Sequence, residues 1–175
     1  LGLEFADLDA LVEEEAGCTV AQIFEREGEA GFRLRERRMA AAVAARSGLV
    51  VATGGGVVLD PENLRVLSAT GTLVCLTAEP ATILRRVGGD ASRPLLRSTD
   101  PHARIRRLLE ERRERYAAIP LQVATDVLSP GEVAEAVLRL LENPEDGCEA
   151  GERLDRDRPV RFNSAVSVGG AGCRR

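Results

Sequence analysis

The chain contains no lysine, so all 24 of its basic residues are arginine. That absence removes any chemistry needing a side-chain amine. Tryptophan is also missing, and Phe, Tyr and Trp together make up 3% of the residues. A core in this protein must therefore be built from Val, Leu, Ile and Ala. His102 is the single histidine, and Cys18, Cys75, Cys148 and Cys173 form no CxxC pair. A Cys/His metal site or a histidine-based catalytic triad is therefore not expected. Cys75 stands in the apolar run LVCL and reads as a buried small hydrophobe. No run approaches the roughly 18–20 apolar residues of a membrane span, and no signal peptide is visible. The formal charge of −4 gives no electrostatic reason to expect nucleic acid or an anionic membrane.

What is present suits one domain: 175 residues, 44% of them apolar. Residues 3–8 (LEFADL) read as a strand entering an acidic turn. Helical spacing follows from about Ala10 to Arg26, then from Gly28 to Ser47, with Gly48 as a C-terminal stop. Leu8, Leu11, Val12, Val20, Ile23 and Phe24 share a face. The runs 49–52 (LVVA) and 72–77 (TLVCLT) are continuously apolar, as strands covered on both faces are. A helix with Asp60 as N-cap and Pro61 at its first position separates them. A helix beginning at Pro80 follows, then a Gly/Ser/Asp-rich segment, 88–100, read as a mobile loop. Residues 101–117 form a basic helix, 122–127 (QVATDV) a last strand and 130–142 a closing amphipathic helix. Alternating strands and helices imply an α/β parallel sheet. Beyond Asn143 the apolar period is lost, and 144–175 is expected to be a disordered tail or linker to a 1–143 domain.

Four clusters could carry chemistry. Asp7 and Asp9 fall at the C-terminal end of a strand, where open α/β sheets bind ligands. Strand alternation would turn one carboxylate toward a metal and the other toward a substrate hydroxyl, although a solvated turn or helix cap is the commoner meaning of Asp-x-Asp. Arg33 and Glu36, three apart on a helix and next to Phe24 and Phe32, offer a guanidinium fork oriented by a carboxylate. Gly54, Gly55 and Gly56 leave strand 49–52 without the lysine of a GxxxxGK(S/T) phosphate loop, so they suit close backbone approach to a small polar ligand. Arg93 lies in the loop and Arg112 on the basic helix. Either alone would most often be a solvated charge.

In order and spacing these motifs, D-x-D, I-F-x-x-x-G-E-x-x-F-R-x-x-E, A-T-G-G-G, R-P-L-L and L-x-x-R-x-x-x-Y, closely resemble shikimate kinase from about Leu3 to Glu142. The resemblance implies a three-layer P-loop kinase-like parallel sheet flanked by helices, here missing its first strand, P-loop and first helix. It implies transfer of the γ-phosphoryl group of ATP to the 3-hydroxyl of shikimate, with Mg²⁺, by a cytoplasmic monomer of the aromatic amino acid pathway. In that family Asp9 would hold the acceptor hydroxyl and orient or deprotonate it, and Asp7 would sit near Mg²⁺ through water. Arg33 and Arg112 would clamp the shikimate carboxylate, Glu36 would position Arg33, and Gly54, Gly55 and Gly56 would approach the hydroxyls. Arg93 would close over the phosphates and Arg86 would stack on adenine. An arginine often precedes the proline at 130 in the family; Ser129 stands there instead. The expectation is an N-terminally truncated kinase, inactive as this chain. A non-catalytic shikimate-binding module and a related small-molecule kinase are the alternatives.

Overall fold

The structure is a computed structural model that describes residues 2–87 and 100–143 and the strand 162–169. The chain divides into two compact units, one made of Leu1–Leu73 with Ser164–Arg175, the other of Val74–Asn163.

In the first unit, β1 (Glu4–Asp7) and β2 (Leu49–Ala52) pair in parallel, Glu4 opposite Leu49 and Asp7 opposite Ala52. A parallel pair needs a crossover, and α1 (Leu8–Ala16) and α2 (Val20–Ala44) provide it. The helical stretch expected from Ala10 to Arg26 is in fact broken at residues 17–19. Thr19 and Gln22 form a capping box that starts α2, each side chain satisfying a backbone N–H at the other's position. A kink follows at Gly28 (φ 70°, ψ −175°). The apolar period nonetheless runs across the break, because Val12, Ile23 and Phe32 form one buried cluster with Val20, Phe24 and Met39 against it. Burying Val12 and Ile23 completely is worth about 1.5–3 kcal/mol each. The helix that was expected to stop at Gly48 ends at Ala44, and Gly48 instead belongs to the turn into β2.

After β2 come the glycines, a single 3₁₀ turn (Val57–Leu59) and α3 (Pro61–Thr70), with Asp60 as N-cap and Pro61 in the first turn, as the sequence predicts. Part of the 144–175 segment is a strand. β5 (Phe162–Gly169) pairs antiparallel with β2, placing Val50 opposite Val168 and Ala52 opposite Val166. The remainder of that segment lies outside the described residues.

The second unit holds β3 (Gly71–Ala78, whose first residues belong to the first unit) in parallel with β4 (Leu121–Ala124). The last strand is shorter than the expected 122–127, since Thr125–Leu128 turn toward α6. Crossover helices α4 (Pro80–Val87) and α5 (Pro101–Ala117) pack through Ile83, Ile105 and Leu109 beneath Ala78. α6 (Pro130–Glu142) lays Val133, Ala136, Val137, Leu140 and Leu141 over Val74, Leu121 and Val123.

Candidate active site

The end of β1 sets the first two carboxylates. Asp7 closes the strand and caps α1, its Oδ1 accepting the backbone N–H groups of Asp9 at 2.9 Å and Ala10 at 3.3 Å. Asp9 is therefore on the helix rather than the strand. The strand-to-helix switch, and not strand alternation, separates the two carboxylates.

The end of β2 faces them. Thr53 is buried, and Gly54 follows with φ 70°, a conformation side chains rarely adopt. A Cβ at Gly54 would lie 3.9 Å from Asp9 Oδ2, so the Asp9 carboxylate looks onto the turn. Gly56 approaches more closely still. A Cβ there would stand 2.5 and 2.8 Å from Arg33 Nη1 and Nη2 and 3.0 Å from Cζ. The bare backbone of Gly56 thus packs directly on the guanidinium.

That guanidinium is fixed from its own helix. Arg33 Nη1 donates to both carboxylate oxygens of Glu36, at 2.9 and 2.8 Å, and Nη2 donates to Glu29 at 3.3 Å. Its Cζ lies 5.1 Å from the Phe32 ring centroid, and Phe32 packs on Phe24 at 4.9 Å between centroids. Glu36 is 2% exposed. Burial pushes its carboxyl above the ordinary range; Arg33 pulls it back, while Asp9 and Asp60 add to the rise. Asp9, Arg33, Glu36 and the glycine turn are thus brought together within one unit. A neighbouring pair, Arg37 and Asp60, ties α2 to the residue that caps α3, with Arg37 Nε 2.6 Å from Asp60 Oδ2. In the sequence Asp60 shows only as a helix cap; its ion pair spans 23 residues and leaves no local signal.

The second unit fixes another arginine differently. Arg86 Nη1 donates to Thr125 Oγ1 at 2.9 Å and Nη2 to the Thr125 carbonyl. Thr125 Oγ1 in turn donates to the Thr77 carbonyl at 3.0 Å. Beside it Asp126 accepts the Glu79 N–H at 2.8 Å. Arg112 is half-buried on α5. Ser129 caps α6 in a capping box with Glu132, which accounts for a serine before Pro130. Arg93 lies outside the described residues.

Among the described residues no three His, Cys, Asp or Glu side chains cluster as a metal cage. Asp7, exposed and with one oxygen committed to its helix cap, fits the role of a single outer carboxylate. Mg²⁺ accepts that arrangement when phosphates and water supply its remaining ligands.

The family model for shikimate kinase matches residues 1–142. The chain belongs to the shikimate kinase family. The shikimate kinase of Synechococcus sp. (strain CC9605) is 45% identical over 142 residues, covering 81% of this chain and 71% of that protein. That of Symbiobacterium thermophilum is 44% identical over 156 residues, 87% of this chain and 86% of its own. Among solved structures, the shikimate kinase from Acinetobacter baumannii in complex with shikimate superposes with a TM-score of 0.78 at 34% identity, over 82% of this chain and 81% of that one. The enzyme from Aquifex aeolicus superposes with a TM-score of 0.69 at 32% identity, over 83% and 84%. The fold is thus the α/β fold of P-loop kinases and the chemical class that of a phosphotransferase, a shikimate kinase.

Proposed function

We propose that Arg33, Glu36, Asp9 and the glycine turn form the acceptor site of an ATP-dependent kinase that phosphorylates the 3-hydroxyl of shikimate. The supporting observation is the Gly56 backbone packed on a guanidinium that Glu36 holds in place. Such a fork keeps free N–H groups in a fixed plane for a second carboxylate, and a glycine floor leaves room for a polyol ring. Arg112 completes the carboxylate clamp. Asp9 takes the proton of the 3-hydroxyl as its oxygen attacks the γ-phosphorus and the bond to the β-phosphate oxygen breaks. Arg93 and Arg86 serve the nucleotide, the first at the phosphates and the second at adenine. Mg²⁺, held chiefly by phosphate oxygens with Asp7 acting through water, would neutralise charge during the transfer. The molecule works as a cytoplasmic monomer.

The 175 residues as they stand contain neither lysine nor GxxxxGK(S/T), so binding without turnover is expected. Titration calorimetry with shikimate tests the site, since Arg33→Met and Arg112→Met should each weaken binding by at least about 30-fold, or ~2 kcal/mol. Unchanged affinity in both would indicate a different acceptor. ATP- and shikimate-dependent ADP release by this chain would overturn the expectation of no turnover.

A further inference from the structure

The turn that carries the glycines is held on its far side by a residue with an unusual hydrogen-bond account. Asn63, on the first turn of α3, is fully buried. Its Nδ2 donates to the Val57 carbonyl at 3.3 Å, while its Oδ1 has no partner among the described residues. Exchanging the amide's oxygen and nitrogen would bring two acceptors face to face, so the orientation is decided. A buried orphan acceptor is costly, and an apolar side chain of the same size would avoid it. The one hydrogen bond that this buried amide side chain makes among the described residues goes to the carbonyl immediately after Gly56.

The same turn is fastened elsewhere. The Leu59 N–H donates to the Gly56 carbonyl at 3.0 Å and the Asn63 N–H to the Asp60 carbonyl at 3.1 Å. Arg37, on the helix that carries Arg33 and Glu36, grips Asp60. Gly56 sits so close to Arg33 that a few tenths of an ångström in the turn would move the guanidinium or open a gap beneath it. We infer that Asn63, with the Arg37–Asp60 pair, positions the glycine turn against Arg33 and so sets the affinity of the acceptor site without touching the acceptor. The inference rests on the acceptor-site reading above for its link to shikimate, but not for its structural content.

The test compares the full chain with Asn63→Leu and Asp60→Asn, the latter keeping a capping side chain while losing the charge. Three quantities are read: melting temperature, hydrogen exchange of the Leu59 and Asp60 amides, and shikimate affinity by calorimetry. Asn63→Leu should melt at the same temperature or higher, yet exchange the two turn amides about tenfold faster and bind shikimate about tenfold more weakly. Asp60→Asn should shift the same two readouts in the same direction by less. A merely structural residue would lower the melting temperature and speed exchange throughout β1 and β2 alike, and that outcome overturns the inference. So does a variant whose turn exchange equals the parent's. Should the parent chain give no heat with shikimate, the acceptor reading fails, and turn exchange alone still decides the role of Asn63.

Discussion

Two arginines in this molecule are immobilised by opposite means. Arg33 is held by carboxylates, Glu36 on one side and Glu29 on the other. Arg86 is held by neutral oxygens, the hydroxyl and carbonyl of Thr125. A carboxylate partner offsets the charge and fixes the plane, which in the proposed acceptor site suits Arg33 to recognise the shape of one further carboxylate. Neutral partners fix the plane and leave the positive charge undiminished, which suits a flat, electron-rich or anionic partner. The supports differ as well. Beneath Arg33 is a glycine backbone with no room for one extra carbon, whereas beneath Arg86 is a threonine bridging two strands. Damage to the first should appear in recognition, and damage to the second in stability.

Gly56→Ala is the sharpest way to break this contrast. The new methyl would overlap the end of a flexible side chain rather than backbone, so the guanidinium swings aside and the fold survives. Shikimate affinity should fall by about 100-fold, with some loss of stability, at most about 3 kcal/mol, because buried Glu36 loses part of its ion pair. Calorimetry and thermal melting on the same sample check it, and a variant that binds like the parent refutes the close packing.

The sequence made the helix starts at Pro61, Pro101 and Pro130 legible because proline and the preceding Asp or Ser act locally. It made the Arg33–Glu36 pair legible because three-residue spacing on a helix leaves no choice of face. The break at 17–19 was hidden by its own success, since α1 and α2 feed one apolar cluster and the period continues through it. Alternation at a strand end suffices to separate Asp7 from Asp9, and the cap by Asp7 achieves the same separation on a helix, so the sequence pattern does not distinguish the two. Thr125, Asp126 and the second role of Asp60 depend on partners 23 to 48 residues away, which no local pattern records.

Acidity offers a second, somewhat smaller test. The native state holds the Glu36 proton above its ordinary pKa of 4.5, so between that value and the raised native one the folded state binds more protons than the unfolded. Stability contributed by Glu36 therefore falls as pH rises through this window. Affinity should move the other way, because only ionised Glu36 orients Arg33. Melting temperature and shikimate affinity measured across the mildly acidic range should diverge in the parent, and Glu36→Gln should remove the divergence while binding about tenfold more weakly throughout. Parallel curves would show that Glu36 is already ionised across that range.

Thr125→Val applies the matching test to the other arginine. The substitution keeps the shape and deletes the hydroxyl that accepts from Arg86 and donates to Thr77. Stability should drop by about 1–2 kcal/mol, read by urea unfolding, with shikimate affinity unaffected. A loss of shikimate affinity without a loss of stability would invert the comparison.

The smallest effect is expected from removing residues 144–175. β5 runs antiparallel along β2 and ends its pairing at Ala52, two residues before Gly54, so it stiffens the strand that delivers the glycine turn. β5 joins β2 at three paired positions, and the chain entropy lost in ordering the strand opposes what those pairs contribute, so global stability should change by no more than about 1 kcal/mol. Local consequences are larger than global ones here. Truncation after Asn143 leaves an edge of β2 unpaired, so its amides should exchange faster and the shortened protein should self-associate more readily. Shikimate affinity should weaken about two- to threefold as the turn loosens. Equal exchange of the Val50–Ala52 amides in both lengths would show that β5 does not pair with β2 in solution, and that the glycine turn depends on Asn63 and Asp60 alone.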